Sequence, residues 1–413
     1  MFGLSAEWLL ADGRLVPSSI VLSHPEQRDR LARACPEAVD AAVVAGDPCF
    51  DRILASLAHR RRYRAALGVP DGRRLVLVSS TWGPRSLLGR APGLVARLLA
   101  ELPADEYTVA AALHPNIWHG HGPWQVRAWL ADALRAGLLL LPPRDGWRAA
   151  LVAADAVVGD HGSVTFYGAA LDRPVLLGAF PHDDLDPDSP VAAFGRAAPA
   201  LDTGRPLRPQ LDRVLAGHAP GRYAEVTAST TAVPGRSAAL LRAEMYRLMG
   251  LDEPASPPVV RRLDEPGRPE SADVTALLTE VEWRGATAVL RRLPAAVALD
   301  RPDAAKGHLA ADLRETDERM LKLADVLHGG PGDDPADVLA AFPGCHVAAS
   351  GPVDGVCAVR VRDAPPLTCR TDAPGLAASA VYGWLAAGRP LTALPRTAVL
   401  VTGPERRTAE FTP

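Results

Sequence analysis

A short polar run in the middle of the chain holds most of the side chains able to do chemistry. Ala156-Val157-Val158 leads into Gly159-Asp160-His161-Gly162-Ser163-Val164-Thr165, and small and apolar residues follow to Ala170. The apolar run reads as a strand buried on both faces, and the glycines end it. Ser163, Val164 and Thr165 open a short helix whose first N–H groups have no partner inside the helix and point above the strand. Free N–H groups beside hydroxyls, His161 and Gly162 make a candidate anion site, so the expected ligand is phosphorylated. Asp160 has three readings from its type and place: it binds a ribose, it moves a proton as a catalytic group, or it caps the helix behind it.

Two further groups stand where they could meet the same ligand. His114 follows the apolar run Tyr107–Leu113 and precedes Pro115. It is read either as a turn histidine or as a catalytic group that gives a phosphate a hydrogen bond or positive charge. Ser80, Thr81 and Arg85 follow the run Leu75–Ser79 and are candidates to hold phosphates from the other side. Other chemistries find no support. Walker A and G-x-G-x-x-G patterns are absent, as are H-E-x-x-H, C-x-x-C and G-x-S-x-G. His119-Gly120-His121 has no third ligand at suitable spacing, so no metal site and no cofactor is expected.

The elements that must position these residues alternate. Strands read at Leu75–Ser79, Tyr107–Leu113, Leu138–Leu141, Ala156–Val158 and Val175–Leu177, with helical stretches between them. That pattern predicts a parallel sheet covered on both faces, which binds ligands outside the carboxyl ends of its strands. Residues 68–252 form this α/β domain, and residues 253–270 are a Pro-rich linker. Residues 271–413 read as an α+β domain of unassigned role. It has a long amphipathic helix over 303–327, a short helix at 335–342 and strands at 345–349, 356–362, 366–370 and 398–402. A helix over 374–387 lies between the last two strands.

Bulk properties exclude several classes. The 413 residues are 48% hydrophobic and 23% charged with a formal net charge of −3, so nucleic-acid binding is not expected. Lys306 and Lys322 are the only lysines, and the Arg60-Arg61-Arg62 run reads as a solvated face. Five cysteines in no C-x-x-C spacing read as reduced thiols. No secretory leader or membrane-length apolar run is present, so a cytoplasmic location is expected.

With these residues in place, the central stretch resembles a family. Val158 to Tyr167, then Asp172-Arg173-Pro174-Val175-Leu176-Leu177, together with Ala112-Leu113-His114-Pro115, is similar to the C-terminal half of the CDP-glycerol glycerophosphotransferases of teichoic-acid synthesis. These have the GT-B fold, and UDP-N-acetylglucosamine 2-epimerases share that architecture. The likeness covers roughly residues 40 to 180. His161 and Gly162 stand where the family has Tyr and Ser, and Tyr167 stands where it has an acidic residue. The resemblance implies that His114 faces the donor pyrophosphate and that Asp160, Ser163 and Val164 form the donor loop. It implies a nucleotide-linked donor such as CDP-glycerol or a UDP-sugar, an unidentified acceptor, and peripheral association with the inner face of the membrane. Residues 1–67 then read as a remnant of the N-terminal GT-B domain plus the interdomain helix. Met1 is expected to be an internal start of a longer product. Three functions follow: a glycosyl or glycerophosphoryl transferase, a UDP-sugar epimerase, or a catalytically silent nucleotide-binding module.

Overall fold

The computed structural model describes residues 4–302 and 304–412. Its first unit is a two-stranded parallel ribbon, Ile20–Leu22 beside Ala42–Val44, joined by helix Pro25–Ala34. Helix Pro48–Leu54 leads out of it and is tied to the distant helix Ser237–Met249. Buried Asp51 accepts from Ser237 N–H at 3.0 Å and from Gly235 N–H at 2.6 Å.

The middle of the chain forms a five-stranded, wholly parallel sheet. Its spatial order is Leu139–Leu140, Tyr107–Leu113, Arg74–Ser80, Ala156–Gly159, Val175–Leu177. Sequentially that is 3-2-1-4-5, the Rossmann-like order. The central strands are apolar because helices cover both faces. Val76, Val78, Val109 and Val158 pack in one core, and Leu75, Leu77, Ala110 and Val157 in the other. The order reverses between Arg74–Ser80 and Ala156–Gly159, so the loops leaving these two strands diverge and open a crevice at their carboxyl ends.

Residues 253–270 are not a free tether. Leu263 is buried, its carbonyl accepts from Tyr63 Oη at 2.8 Å, and Glu270 bridges to Leu140. In the Arg60–Arg62 run Arg61 and Arg62 are exposed, as expected of a solvated face, and Arg60 is half-buried. Arg60 pairs with Asp155 at 2.5 Å, and Arg62 pairs with Glu265.

Among the described residues, nine strands of the C-terminal region close into a barrel. It mixes antiparallel pairs with a parallel run, His308–Asp312, Val326–His328 and Val347–Ala349. The barrel surrounds helix Pro374–Ala386, which is apolar on most of its surface and therefore buried. Leu376, Ala377, Ala380 and Val381 share one core with Leu290, Val326, Val347, Val359 and Leu400 from the strands. The helix over 374–387 and the strands at 345–349, 356–362, 366–370 and 398–402 are where they were expected. The long helix over 303–327 is not. Asp303 lies outside the described residues, and the rest is strand His308–Asp312, helix Glu318–Leu323 and strand Val326–His328. Leu309, Ala310 and Ala311 form a continuous apolar run buried on both sides, which helical spacing alone does not distinguish from a helix face.

The barrel docks on the amino edge of the sheet. Arg292 grips Asp105 through Nε at 2.8 Å and a terminal nitrogen at 2.5 Å, and Ala104 N–H donates to Arg292 O at 2.9 Å.

Candidate functional site

The carboxyl edge of the sheet is organised around Asp160, which is fully buried directly after strand Ala156–Gly159. One carboxylate oxygen accepts from Thr81 N–H at 2.8 Å, Thr81 Oγ1 at 2.7 Å and Leu87 N–H at 2.9 Å. The other accepts from Gly162 N–H at 3.1 Å. A buried carboxylate is tolerated when its lone pairs are filled in this way. Asp160 therefore ties the two diverging loops together across the floor of the crevice. With four donors already on it, it is a brace, and of its three readings proton transfer fits least.

Gly162 is needed for that closure. A Cβ there would lie 2.7 Å from Thr81 Cγ2 and 3.1 Å from Asp160 Oδ1. Helix Ser163–Ala170 starts immediately after it, and no side chain caps its first turn. The first N–H groups of this helix, at Ser163, Val164 and Thr165, have no acceptor within the helix.

His114 stands opposite, at the end of strand Tyr107–Leu113. Its Nδ1 accepts from Asn116 N–H at 3.1 Å as it caps helix Pro115–His121. That bond assigns the proton of the neutral ring to Nε2, which becomes a hydrogen-bond donor. Burial lowers its pKa below the ordinary histidine value, against the opposing pull of the Asp160 charge. Its ring packs on Trp82, centroids 4.1 Å apart, and Trp82 is 45% exposed. Both readings of His114, a cap and a donor, are thus compatible in one side chain.

The remaining candidates divide by orientation. Ser163 is exposed, and Thr81, His161 and Gly162 are partly exposed at the edge. Val164 packs its side chain into the core, so only its N–H faces the edge. Ser80 and Thr165 keep their hydroxyls inside the protein. Ser80 is buried, donating to Thr81 O and accepting from Leu88 N–H at 3.1 Å. Thr165 is fully buried with its hydroxyl under Gly159. Neither hydroxyl can reach a ligand above the edge. Arg85 sits at the exposed rim, paired with Asp184.

Two participants were not legible in advance. Trp82 supplies an exposed aromatic face beside the anion donors. Tyr167, where the resembling family has an acid, donates through Oη to Asp47 at 2.5 Å and stacks on Phe50 at 5.6 Å. It locks helix Ser163–Ala170 to the segment that leaves the first unit. Burial and the neighbouring Asp47 push its pKa far up, so it stays a donor. A Tyr and an Asp 120 residues apart carry no signal in sequence.

Among the described residues no group of three or more His, Cys, Asp or Glu could hold a metal. His121 packs edge-on against Trp129 at 4.7 Å. No helix among them is long and apolar enough to cross a membrane.

The chain matches no family model, and no curated protein matches it by sequence. Solved structures with a similar fold include the wall teichoic acid polymerase TagF, at 14% identity and TM-score 0.40, covering 56% of this chain and 58% of that one. Another is the UDP-GlcNAc 2-epimerase of Neisseria meningitidis bound to UDP-GlcNAc, at 14% identity and TM-score 0.36, covering 56% and 61%. A third is HepE of Anabaena with UDP-glucose, at 13% identity and TM-score 0.33, covering 58% and 65%. The likeness extends over 56–58% of the chain and spans less than two thirds of each of those proteins.

Proposed function

We propose that the carboxyl edge of the sheet binds the diphosphate of a nucleotide-activated donor, as the donor half of a glycosyl or glycerophosphoryl transferase-like protein. The observation that carries this reading is the Asp160 brace. It presses Thr81 against Gly162 and so aims the uncapped start of helix Ser163–Ala170 into the crevice that His114 faces. Helix N–H groups and the Nε2–H of His114 then converge on phosphate oxygens. Such preorganised donors stabilise a departing nucleotide phosphate, whose charge grows as the bond to the transferred group breaks. Trp82 is placed to stack a base or sugar face.

Asp160, Ser80 and Thr165 act as positioning groups in this reading, and Arg85 guards the rim. A UDP-sugar epimerase on the same donor half remains the second reading, separated from the first by product analysis. A thermal-shift screen with CDP, UDP, GDP and their glycerol and sugar conjugates tests the proposal. A ligand present at 100 times its Kd adds about 2.7 kcal/mol of stability. A clear upward shift with at least one diphosphate is expected, and flat melting curves across the panel contradict nucleotide binding.

A further inference from the structure

A second cleft lies at the other end of the molecule, against the amino edge of the sheet. It has a volume of about 690 Å³ and sits where Asp312, His328 and Gly351 end or follow the three parallel strands of the barrel. Strand Arg74–Ser80 separates it from the Asp160 brace. That strand has seven residues, so the two sites stand about 20 Å or more apart. Arg73 and Asp105 of the sheet domain complete its wall, so it exists only where the two regions meet.

The lining is charged yet compensated. Four arginines line it with five carboxylates. Arg292 is engaged bidentately by Asp105, and Arg314 by Asp312 at 3.0 and 2.9 Å. Arg407 bridges Asp372 at 2.6 Å and Glu405 at 2.9 Å. Arg73 makes only a 3.7 Å contact to the same Asp105, and its buried Nε has no hydrogen-bond partner among the described residues. Five carboxylates still outnumber four arginines, so there is no surplus positive charge to neutralise a phosphate. These pairs instead present fixed N–H donors and carboxylate acceptors side by side at little net charge. His328 adds one of each. Its nitrogens make no hydrogen bond among the described residues, with Asp312 at 3.8 Å, and burial holds it neutral near pH 7. Asp333 has one oxygen on Gly330 N–H at 2.6 Å and the other free. The cleft has no Phe, Tyr or Trp among its described lining residues, so a nucleobase finds no stacking partner there. Its apolar surface comes from prolines and leucines such as Pro331, Pro352 and Leu376.

Close packing fixes the shape. A Cβ at Gly375 would lie 2.6 Å from His328 Cδ2, and one at Gly351 would lie 2.6 Å from Gly330 C. The imidazole thus rests on the first turn of the central helix, and the loop Gly329–Asp333 rests on Gly351.

We infer that this cleft is a binding site for an uncharged polyhydroxylated small molecule of mono- to disaccharide size. Hydroxyls both donate and accept, which matches compensated ion pairs and a neutral imidazole. The inference rests on this interdomain cleft and does not depend on the donor reading.

Saturation-transfer difference NMR on the full chain tests it, with D-glucose, D-galactose, N-acetyl-D-glucosamine and ribitol as probes and glucose phosphate as the charged comparator. Saturable transfer to at least one neutral probe is expected. Its Kd should rise at least fivefold in Arg314→Gln and in Asp333→Asn and stay within twofold in His114→Ala. Arg314 is largely exposed, with a side-chain exposure of 76%, so its variant folds. No transfer to any neutral probe, tighter binding of glucose phosphate than of glucose, or unchanged binding in both variants would each overturn the inference.

Discussion

The two clefts are both built at the carboxyl ends of parallel strands, yet they handle charge in opposite ways. At the sheet edge one carboxylate, Asp160, is sealed under four donors, and the exposed groups are neutral or donating. At the barrel end Arg292, Arg314 and Arg407 are each paired with a carboxylate, and carboxylates such as Asp372 are exposed. The first arrangement leaves hydrogen-bond donors for an anion. The second leaves matched donors and acceptors for hydroxyls. In the two proposed readings, topology places the ligand and the pairing state of the carboxylates selects its kind.

The sharpest way to break this contrast is to remove one carboxylate from each cleft. Asp160→Ala removes a buried carboxylate from four donors, one of them fully buried, and should destabilise the protein by about 3–5 kcal/mol. Asp312→Ala removes a pair whose arginine is mostly exposed and should cost about 1 kcal/mol or less. Urea unfolding of the two variants checks this, and similar midpoints would mean that Asp160 is no brace.

Acid should separate the two regions next. His308 lies in the barrel beside Tyr382, with a buried Nε2 that has no partner, and burial lowers its pKa to about 4 despite the nearby Asp325 charge. The folded pKa lies below the unfolded value of 6.5, so the unfolded chain takes up the proton first. Above pH 6.5 the group contributes nothing. Stability then falls as pH drops from 6.5 towards 4, by roughly 3 kcal/mol in all. His328, also lowered by burial, adds to the loss in the same direction. Melts followed through barrel tryptophans at pH 7 and 4.5 should show this loss, and His308→Asn should remove most of it. A pH-independent barrel would contradict the assignment.

A more local effect is expected at Tyr167. Tyr167→Phe deletes one hydrogen bond to a carboxylate and should cost about 1.5–3 kcal/mol at most. It should also loosen the start of helix Ser163–Ala170, read as faster amide exchange there. Unchanged exchange would mean that the link to Asp47 does not hold the donor loop.

Why one cleft was readable in sequence and the other was not follows from the strands that build them. Tyr107–Leu113 is an unbroken seven-residue strand, and a polar residue directly after it stands out. Ala156–Gly159 has the same character. The barrel's parallel strands Val326–His328 and Val347–Ala349 have three residues each, and Leu309, Leu313, Met320, Leu323 and Leu327 fall at helical spacing. The barrel closes through partners far along the chain, such as Thr287–Pro294 against Thr397–Thr402 and Leu367–Arg370 against Glu405–Thr412. The hairpin Ala276–Arg284 with Thr287–Pro294 went unread although Gly285, at φ +59°, marks its turn. Side-chain direction was equally hidden. Thr81 and Ser80 are neighbours, and only the register of the edge turns one outward and the other into the core.

The central claim, that the sheet edge holds a nucleotide diphosphate, is met most directly by calorimetric titration of wild type and His114→Ala with a diphosphate that stabilises the protein and with its parent nucleoside. The Nε2–H donor predicts at least a tenfold loss of diphosphate affinity, about 1.4 kcal/mol, with nucleoside affinity changed less than twofold. Equal losses for both ligands, or no loss for the diphosphate, would contradict it.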